Sequence, residues 1–182
     1  MAAGASKLRT RIASELVDTI GFDAIRGNVS ELKALALGSA TTRGVDASAA
    51  DAVTDARLDE MVSFSKGYAR EVRGIVAITG AIDLVADEET CYVIRNGRAE
   101  MGRVTGTGCM LSGVLCAYLI ANPKDKLEAA AAAVCLMGLA GEVGWSRMQE
   151  GDGNATYRNR IIDAIYNIDG DQLDREARYE LR

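Results

Sequence analysis

The segment Gly74-Ile75-Val76-Ala77-Ile78-Thr79-Gly80 constrains the fold of this chain more than any other stretch. It is an apolar run bounded by glycines, with no polar residue alternating through it, which is the pattern of a strand covered on both faces. Such a strand belongs in a parallel sheet with helices packed on it, so the neighbouring chain should read as helix, and it does. Leu8, Ile12, Leu16 and Ile20 recur every four residues and predict a helix over 7–20, ended by Gly21. After a short apolar piece over 22–25, a second helix is expected from Asn28, carrying Leu32, Leu35 and Leu37 and closed by Gly38. Residues 39–52 are small and polar without period and read as a loop or linker. Leu58, Met61, Val62, Tyr68 and Val72 predict the next helix.

Beyond the glycine-bounded strand, residues 82–86 and 90–95 flank Asp87-Glu88-Glu89 as a β-hairpin. Helices are then expected over 109–121, about 125–149 and about 155–168. The charged C-terminus is expected to be a final helix or a fraying tail. Its Asp169, Asp171 and Asp174 suggest half a calcium loop, but the glycine and distal glutamate are misplaced, so they read as solvated. Alternating helices and covered strands indicate one α/β sandwich domain over 1–182.

Composition removes several chemistries. The 182 residues include no histidine, which excludes Ser-His triads, imidazole zinc ligands and a histidine base. Proton transfer must use a carboxylate, cysteine, lysine or tyrosine. The net charge of -5 leaves no basic excess for nucleic acid, so none is expected as a partner. Cys91, Cys109, Cys116 and Cys135 show no CxxC spacing, and without a signal-peptide pattern they are expected reduced, in the cytoplasm. The uncharged runs over 109–121 and 129–141 fall short of the roughly 20 residues that span a bilayer. They read as buried helices, with Cys116 and Cys135 as core residues and Cys91 as structural.

Three segments carry residues suited to chemistry. Val104-Thr105-Gly106-Thr107-Gly108-Cys109 precedes an apolar helix, and its glycines and free helix-start amides suit an anion. It is not a P-loop, since no Lys-Ser/Thr follows, and it reads equally as a tight strand-to-helix turn. Cys109, in the first turn of that helix, has the positive end of the dipole beside it, which favours a thiolate; packing is the competing role. Asn28-Val29-Ser30-Glu31 reads as a capping box or as a holder for hydrated magnesium, and spacing does not separate the two. Arg26 is a phosphate candidate or a solvated charge. Thr79-Gly80 lies at the carboxyl end of the covered strand, where ligands bind in open parallel sheets. Each of the three segments is expected to follow a strand.

Together these residues resemble the hydroxyethylthiazole kinase family, ribokinase-like enzymes. The resemblance rests on Ile25-Arg26-Gly27-Asn28-Val29-Ser30-Glu31, Gly44-Val45-Asp46, Ala77-Ile78-Thr79-Gly80 and Val104-Thr105-Gly106-Thr107-Gly108-Cys109. Gly153-Asn154-Ala155-Thr156-Tyr157 with the helix after it extends it over nearly the whole chain. It implies a ribokinase-like three-layer sandwich with a mostly parallel central sheet. It further implies transfer of the ATP γ-phosphoryl group to 4-methyl-5-(2-hydroxyethyl)thiazole in thiamine salvage. Carried over by position, Arg26 and Thr79 contact ATP, Gly106 lies at the thiazole, and Cys109 faces the reacting hydroxyl. Asn28 and Glu31 match a magnesium-linked Asn-x-x-Glu, and the family's site lies between subunits of a homotrimer. The family also carries a longer N-terminal portion ending in Asp-Pro-Val-Gly-x-Gly, of which only Met1-Ala2-Ala3-Gly4-Ala5-Ser6 has a counterpart here. The resemblance is therefore to an N-terminally truncated kinase, with an open sheet edge and uncovered apolar helix faces expected near residues 133–137. The competing readings are a nucleotide-binding module without catalysis and a kinase of the same fold for another small alcohol.

Overall fold

The computed structural model describes Gly4, residues 6–36 and residues 53–182. The expected loop over 39–52 lies outside the described residues, as do Leu37, Gly38 and Gly44-Val45-Asp46. The chain divides into two compact units, Met1–Val93 with Leu181–Arg182, and Ile94–Glu180.

In the first unit, helix α1 (Lys7–Thr19) begins where the Ser6 hydroxyl accepts from the Arg9 amide. Strand β1 (Ala24–Asn28) runs directly into helix α2 (Val29–Ala36). Helix α3 (Leu58–Val72) ends on Arg73, which takes a left-handed conformation at φ 55°. Strand β2 (Ile75–Thr79) follows, then β3 (Asp83–Ala86) and β4 (Cys91–Ile94). The glycine-bounded run is covered as expected, with Val76, Ala77 and Ile78 entirely out of contact with water. Beneath it, Leu32, Val53, Met61, Tyr68, Leu84 and Val93 join the same core. The stripe on α1 behaves otherwise: Ala13 is buried, but Leu8, Ile12 and Ile20 are exposed.

The sheet has five strands in the order β1-β2-β3-β4-β5, where β5 is Tyr179–Leu181. Its composition corrects the expectation of a mostly parallel sheet. β1 and β2 pair in parallel, with Arg26 beside Ala77 and Asn28 beside Thr79. β2 and β3 pair antiparallel, Ile78 facing Leu84. β3 and β4 form the hairpin, closed by the Asp87 amide on the Thr90 carbonyl at 3.1 Å. Cys91 and Arg182 exchange backbone bonds at 3.0 and 2.9 Å, a reciprocal pair that makes β5 antiparallel to β4. The sheet is mixed because β2, β3 and β4 follow one another through short turns, too short for a crossover, and so must pair antiparallel. Of the two expectations for the charged C-terminus the helix is the one found: Asp169 caps a short helix α7 (Gly170–Glu176), after which the chain becomes β5, which was not expected.

The second unit is built on helix α5 (Lys126–Ser146), packed by α4 (Thr107–Ala121), α6 (Asn154–Asn167) and α7. At 21 residues α5 is long and apolar enough to cross a membrane, but most of that stretch is buried in protein. Ala133, Val134, Leu136 and Met137 are covered, so the expected exposure of this region does not occur. The helices meet at glycines. A Cβ on Gly138 would lie 2.6 Å from the Asn96 carbonyl carbon, and one on Gly144 would lie 3.1 Å from the Ile161 nitrogen. Tyr157 is buried, donates to the Gly141 carbonyl at 2.9 Å and meets Trp145 edge-on. Helix α4 departs from the expected buried helix. Only Leu111 and Leu115 are buried, and Cys116 is exposed rather than in the core.

Candidate functional site

The candidate residues of the first unit gather at the carboxyl ends of β1 and β2. Parallel partners point to the same face and side chains alternate along a strand, so Arg26, Asn28 and Thr79 share one face of the sheet. Arg26 Nη1 lies 3.5 Å from the Thr79 hydroxyl, which in turn donates to the Gly27 carbonyl at 3.5 Å. The Arg26 Nε is buried and has no hydrogen-bond partner. A buried guanidinium N–H without an acceptor is costly, and an anionic oxygen would satisfy it. A cavity of about 210 Å³ opens beside Arg26, walled by Leu16, Val17, Ile25, Leu32 and Leu35.

Asn28 and Glu31 form a reciprocal capping box. The Asn28 amide donates to Glu31 Oε2 at 2.9 Å, and the Glu31 amide to Asn28 Oδ1 at 2.8 Å. The box explains why α2 begins the moment β1 ends, and it holds both side chains at the mouth of the site. Among the described residues, no three acidic or cysteine side chains are gathered as a ready-made metal cage. Gly27 has a packing reason, since a Cβ there would lie 3.2 Å from the Glu31 side chain.

Asp83 belongs to the same group and was not singled out from the sequence. The β2–β3 register pairs Ile78 with Leu84, so Asp83 stands opposite Thr79. Its Oδ1 accepts from the Gly80 amide at 2.8 Å. Burial pushes its carboxyl up to about 7, against the pull of the Gly80 amide and the Arg26 guanidinium. The signal was in Thr79-Gly80-Ala81-Ile82-Asp83, but it acquires meaning only once the antiparallel register is known.

The second unit holds the other candidates. The segment before α4 does not follow a strand as expected; it follows a 3₁₀ turn over Ala99–Arg103. Charged Arg98, Glu100 and Arg103 break any apolar alternation there. Gly106 caps α4 with φ 99°, a left-handed conformation that favours glycine, while the space beside it is open. The Thr107 hydroxyl donates to the Val104 carbonyl at 3.3 Å, and Asn154 Nδ2 donates to the Arg103 carbonyl at 3.0 Å. The segment is thus tied at both shoulders. No side chain caps the start of α4, so its first amides and the positive end of its dipole face outward. Cys109 sits in this first turn and is exposed; Cys91 and Cys135 are buried, and the four cysteines form no disulfide. Burial pushes the Cys91 thiol up to about 12, which suits a structural role.

Comparison with known proteins adds to this geometry. The model of the hydroxyethylthiazole kinase family matches residues 1–171. A hydroxyethylthiazole kinase of Clostridium acetobutylicum is 51% identical over 177 residues, covering 97% of this chain and 65% of that protein. The structure of a hydroxyethylthiazole kinase protein from Pyrococcus horikoshii OT3 superposes with a TM-score of 0.81 at 27% identity. It covers all of this chain and 63% of the other. An ADP/ATP-dependent NAD(P)H-hydrate dehydratase from Bacillus subtilis, at TM-score 0.57 and 14% identity, shares the fold. The chain thus spans just under two thirds of the length of the kinases it matches.

Proposed function

This chain belongs to the hydroxyethylthiazole kinase family, and on that premise we propose that it carries the nucleotide-binding part of an ATP-dependent kinase for 4-methyl-5-(2-hydroxyethyl)thiazole, a step of thiamine salvage. The observation that carries this reading is the Arg26–Thr79 pair at the joined ends of β1 and β2, with a buried guanidinium N–H that lacks an acceptor. Phosphate oxygens of ATP are the acceptors that chemistry supplies. In the reaction the γ-phosphorus bonds to the alcohol oxygen as its bond to ADP breaks, and the hydroxyl proton leaves to a base. Catalysis of this kind is positioning and charge stabilisation. By the family's pattern Arg26 and Thr79 hold the nucleotide; within the second unit, the start of α4 carries uncapped amides and a dipole that suit negative charge. Gly106 borders the thiazole, and Cys109 faces the hydroxyl and accepts its proton.

A magnesium ion accompanying ATP would neutralise phosphate charge. The residues present fit a hydrated ion: the capping box takes Glu31 Oε2 and Asn28 Oδ1, which leaves Glu31 Oε1 to receive a coordinated water. The wider ribokinase-like sandwich, a cytoplasmic setting and a homotrimer belong to the same reading and rest on the family. No membrane or nucleic-acid partner is part of it. The competing reading is a nucleotide-holding module without turnover.

Calorimetry with ATP and ADP, with and without magnesium, tests the core of the proposal. Binding that is lost in Arg26→Ala supports it, and no heat at millimolar nucleotide overturns it. An ADP-release assay with the thiazole alcohol then separates kinase from module. Where turnover is present, Cys109→Ser is expected to lower it by about 10²–10⁴, the loss expected for a positioned proton acceptor. Light scattering on the eluting protein tests the trimer.

A further inference from the structure

We propose that Asp83 is a positioning residue for the nucleotide: its side-chain oxygen holds the Thr79–Gly80 turn so that the Thr79 hydroxyl and the Arg26 guanidinium face the phosphates together. This rests on the nucleotide-binding reading of Arg26 and Thr79. Asp83 is the first residue of β3 and stands across from Thr79, the last of β2, with Arg26 two positions back along β1 on the same face. Thr79 ends the strand, and the chain must then reverse within Gly80, Ala81 and Ile82. The bond from the Gly80 amide to Asp83 Oδ1, 2.8 Å, ties the first residue of that reversal to the residue that closes it. The bond needs an oxygen acceptor and not a charge, since a protonated carboxyl still accepts through its carbonyl oxygen. With Gly80 held, the Thr79 backbone is set and its hydroxyl stays 3.5 Å from Arg26 Nη1.

The charge of Asp83 has a second effect. A carboxylate beside a phosphate site repels the ligand and competes for the guanidinium. Among the described residues, the groups acting on this carboxyl are the Gly80 amide from the β2 turn and Arg26 from β1. Burial raises its proton affinity toward neutrality, so the carboxyl is neutralised as an anion arrives while its oxygen keeps the Gly80 bond. Above neutral pH the ionised form resists the phosphate, and affinity falls.

The test measures ADP affinity by calorimetry for the full chain, Asp83→Ala, Asp83→Asn and Arg26→Ala, between pH 6 and 8. Circular dichroism monitors folding. Asp83→Asn keeps an acceptor for Gly80 and has no charge to titrate. It is expected to bind within about threefold of the parent at pH 6, whereas Asp83→Ala binds about tenfold or more weakly, as for a misplaced contact. ADP titrates in every variant, so the readout is the ratio of parent to Asp83→Asn affinity, which should fall as pH rises through about 7. If Asp83→Ala does not fold, that ratio alone decides. Parent-like binding by Asp83→Ala, equal losses in Asp83→Ala and Asp83→Asn, or a ratio flat with pH would each overturn the inference while the nucleotide reading stands. Absence of ADP binding by the parent overturns both.

Discussion

Helices α4 and α5 are close to indistinguishable in sequence: both are apolar around their whole circumference, with hardly a charge between their ends. In the structure they diverge. α5 is enclosed by α4, α6 and α7, and Leu139 and Ala140 are almost wholly removed from water. α4 buries Leu111 and Leu115 and leaves Ile120 74% exposed. What separates them is the glycine row of α5. Gly138, Gly141 and Gly144 recur every third residue, and each meets a different neighbour: Asn96, Met101 and the start of the Arg160–Ile161 backbone. Gly113 of α4 has nothing near where its Cβ would be. An apolar helix is enclosed when its smallest residues let several neighbours approach, and mean apolarity does not report that.

The largest effect that would break this contrast is truncation of a core side chain. Leu139→Ala is expected to cost about 2–5 kcal/mol, while Ile120→Ala on α4 stays within about 0.5. Chemical denaturation of the two variants measures both, and equal losses would show that α4 is covered in solution. Next comes glycine. Gly138→Ala drives a methyl against Asn96 backbone and is expected to destabilise by about 1–3 kcal/mol. Gly113→Ala, with open space beside it, should stabilise by about 0.5–1 kcal/mol through helix propensity. Opposite signs in thermal melts carry the comparison. Tyr157→Phe removes the hydroxyl's bond to the Gly141 carbonyl and should cost about 1 kcal/mol. The smallest perturbation uses the native thiols. With a maleimide, Cys109 and Cys116 of α4 should label quickly, while Cys135 of α5 and Cys91 label only as the chain opens. Mass spectrometry of a time course reads this, and slow labelling of Cys116 would contradict the exposed face.

What was legible in the sequence follows from how local each signal is. The run over Ile75–Thr79, the α3 pattern and the hairpin around Asp87 carry their own periodicity or turn chemistry, and all appear. The capping box was legible because Asn28 and Glu31 sit three residues apart. The burial of α4 was misread because a helix apolar all round offers no face to orient it. β5 was missed because Tyr179-Glu180-Leu181 is short and charged, and only a distant partner makes it a strand. The mixed character of the sheet and the place of Asp83 depend on which strands pair and in which direction, and a single strand's pattern does not state its partner.

That distant partner gives the C-terminal strand a kinetic meaning. Backbone bonds from Arg178 and Arg182 close the outer edge of β4, and the Arg178 amide reaches Asn96 across 82 positions. Arg178 also clasps Glu142, donating from Nη1 to Oε2 at 3.0 Å. During synthesis at about 5–20 residues per second, β4 therefore waits on the order of ten seconds for its outer neighbour. Its row of unpaired amides and carbonyls, flanked by the apolar Val93 and Ile94, is open to other nascent chains for that time. The sheet thus cannot be complete before its last strand, at the end of this sequence, has been made.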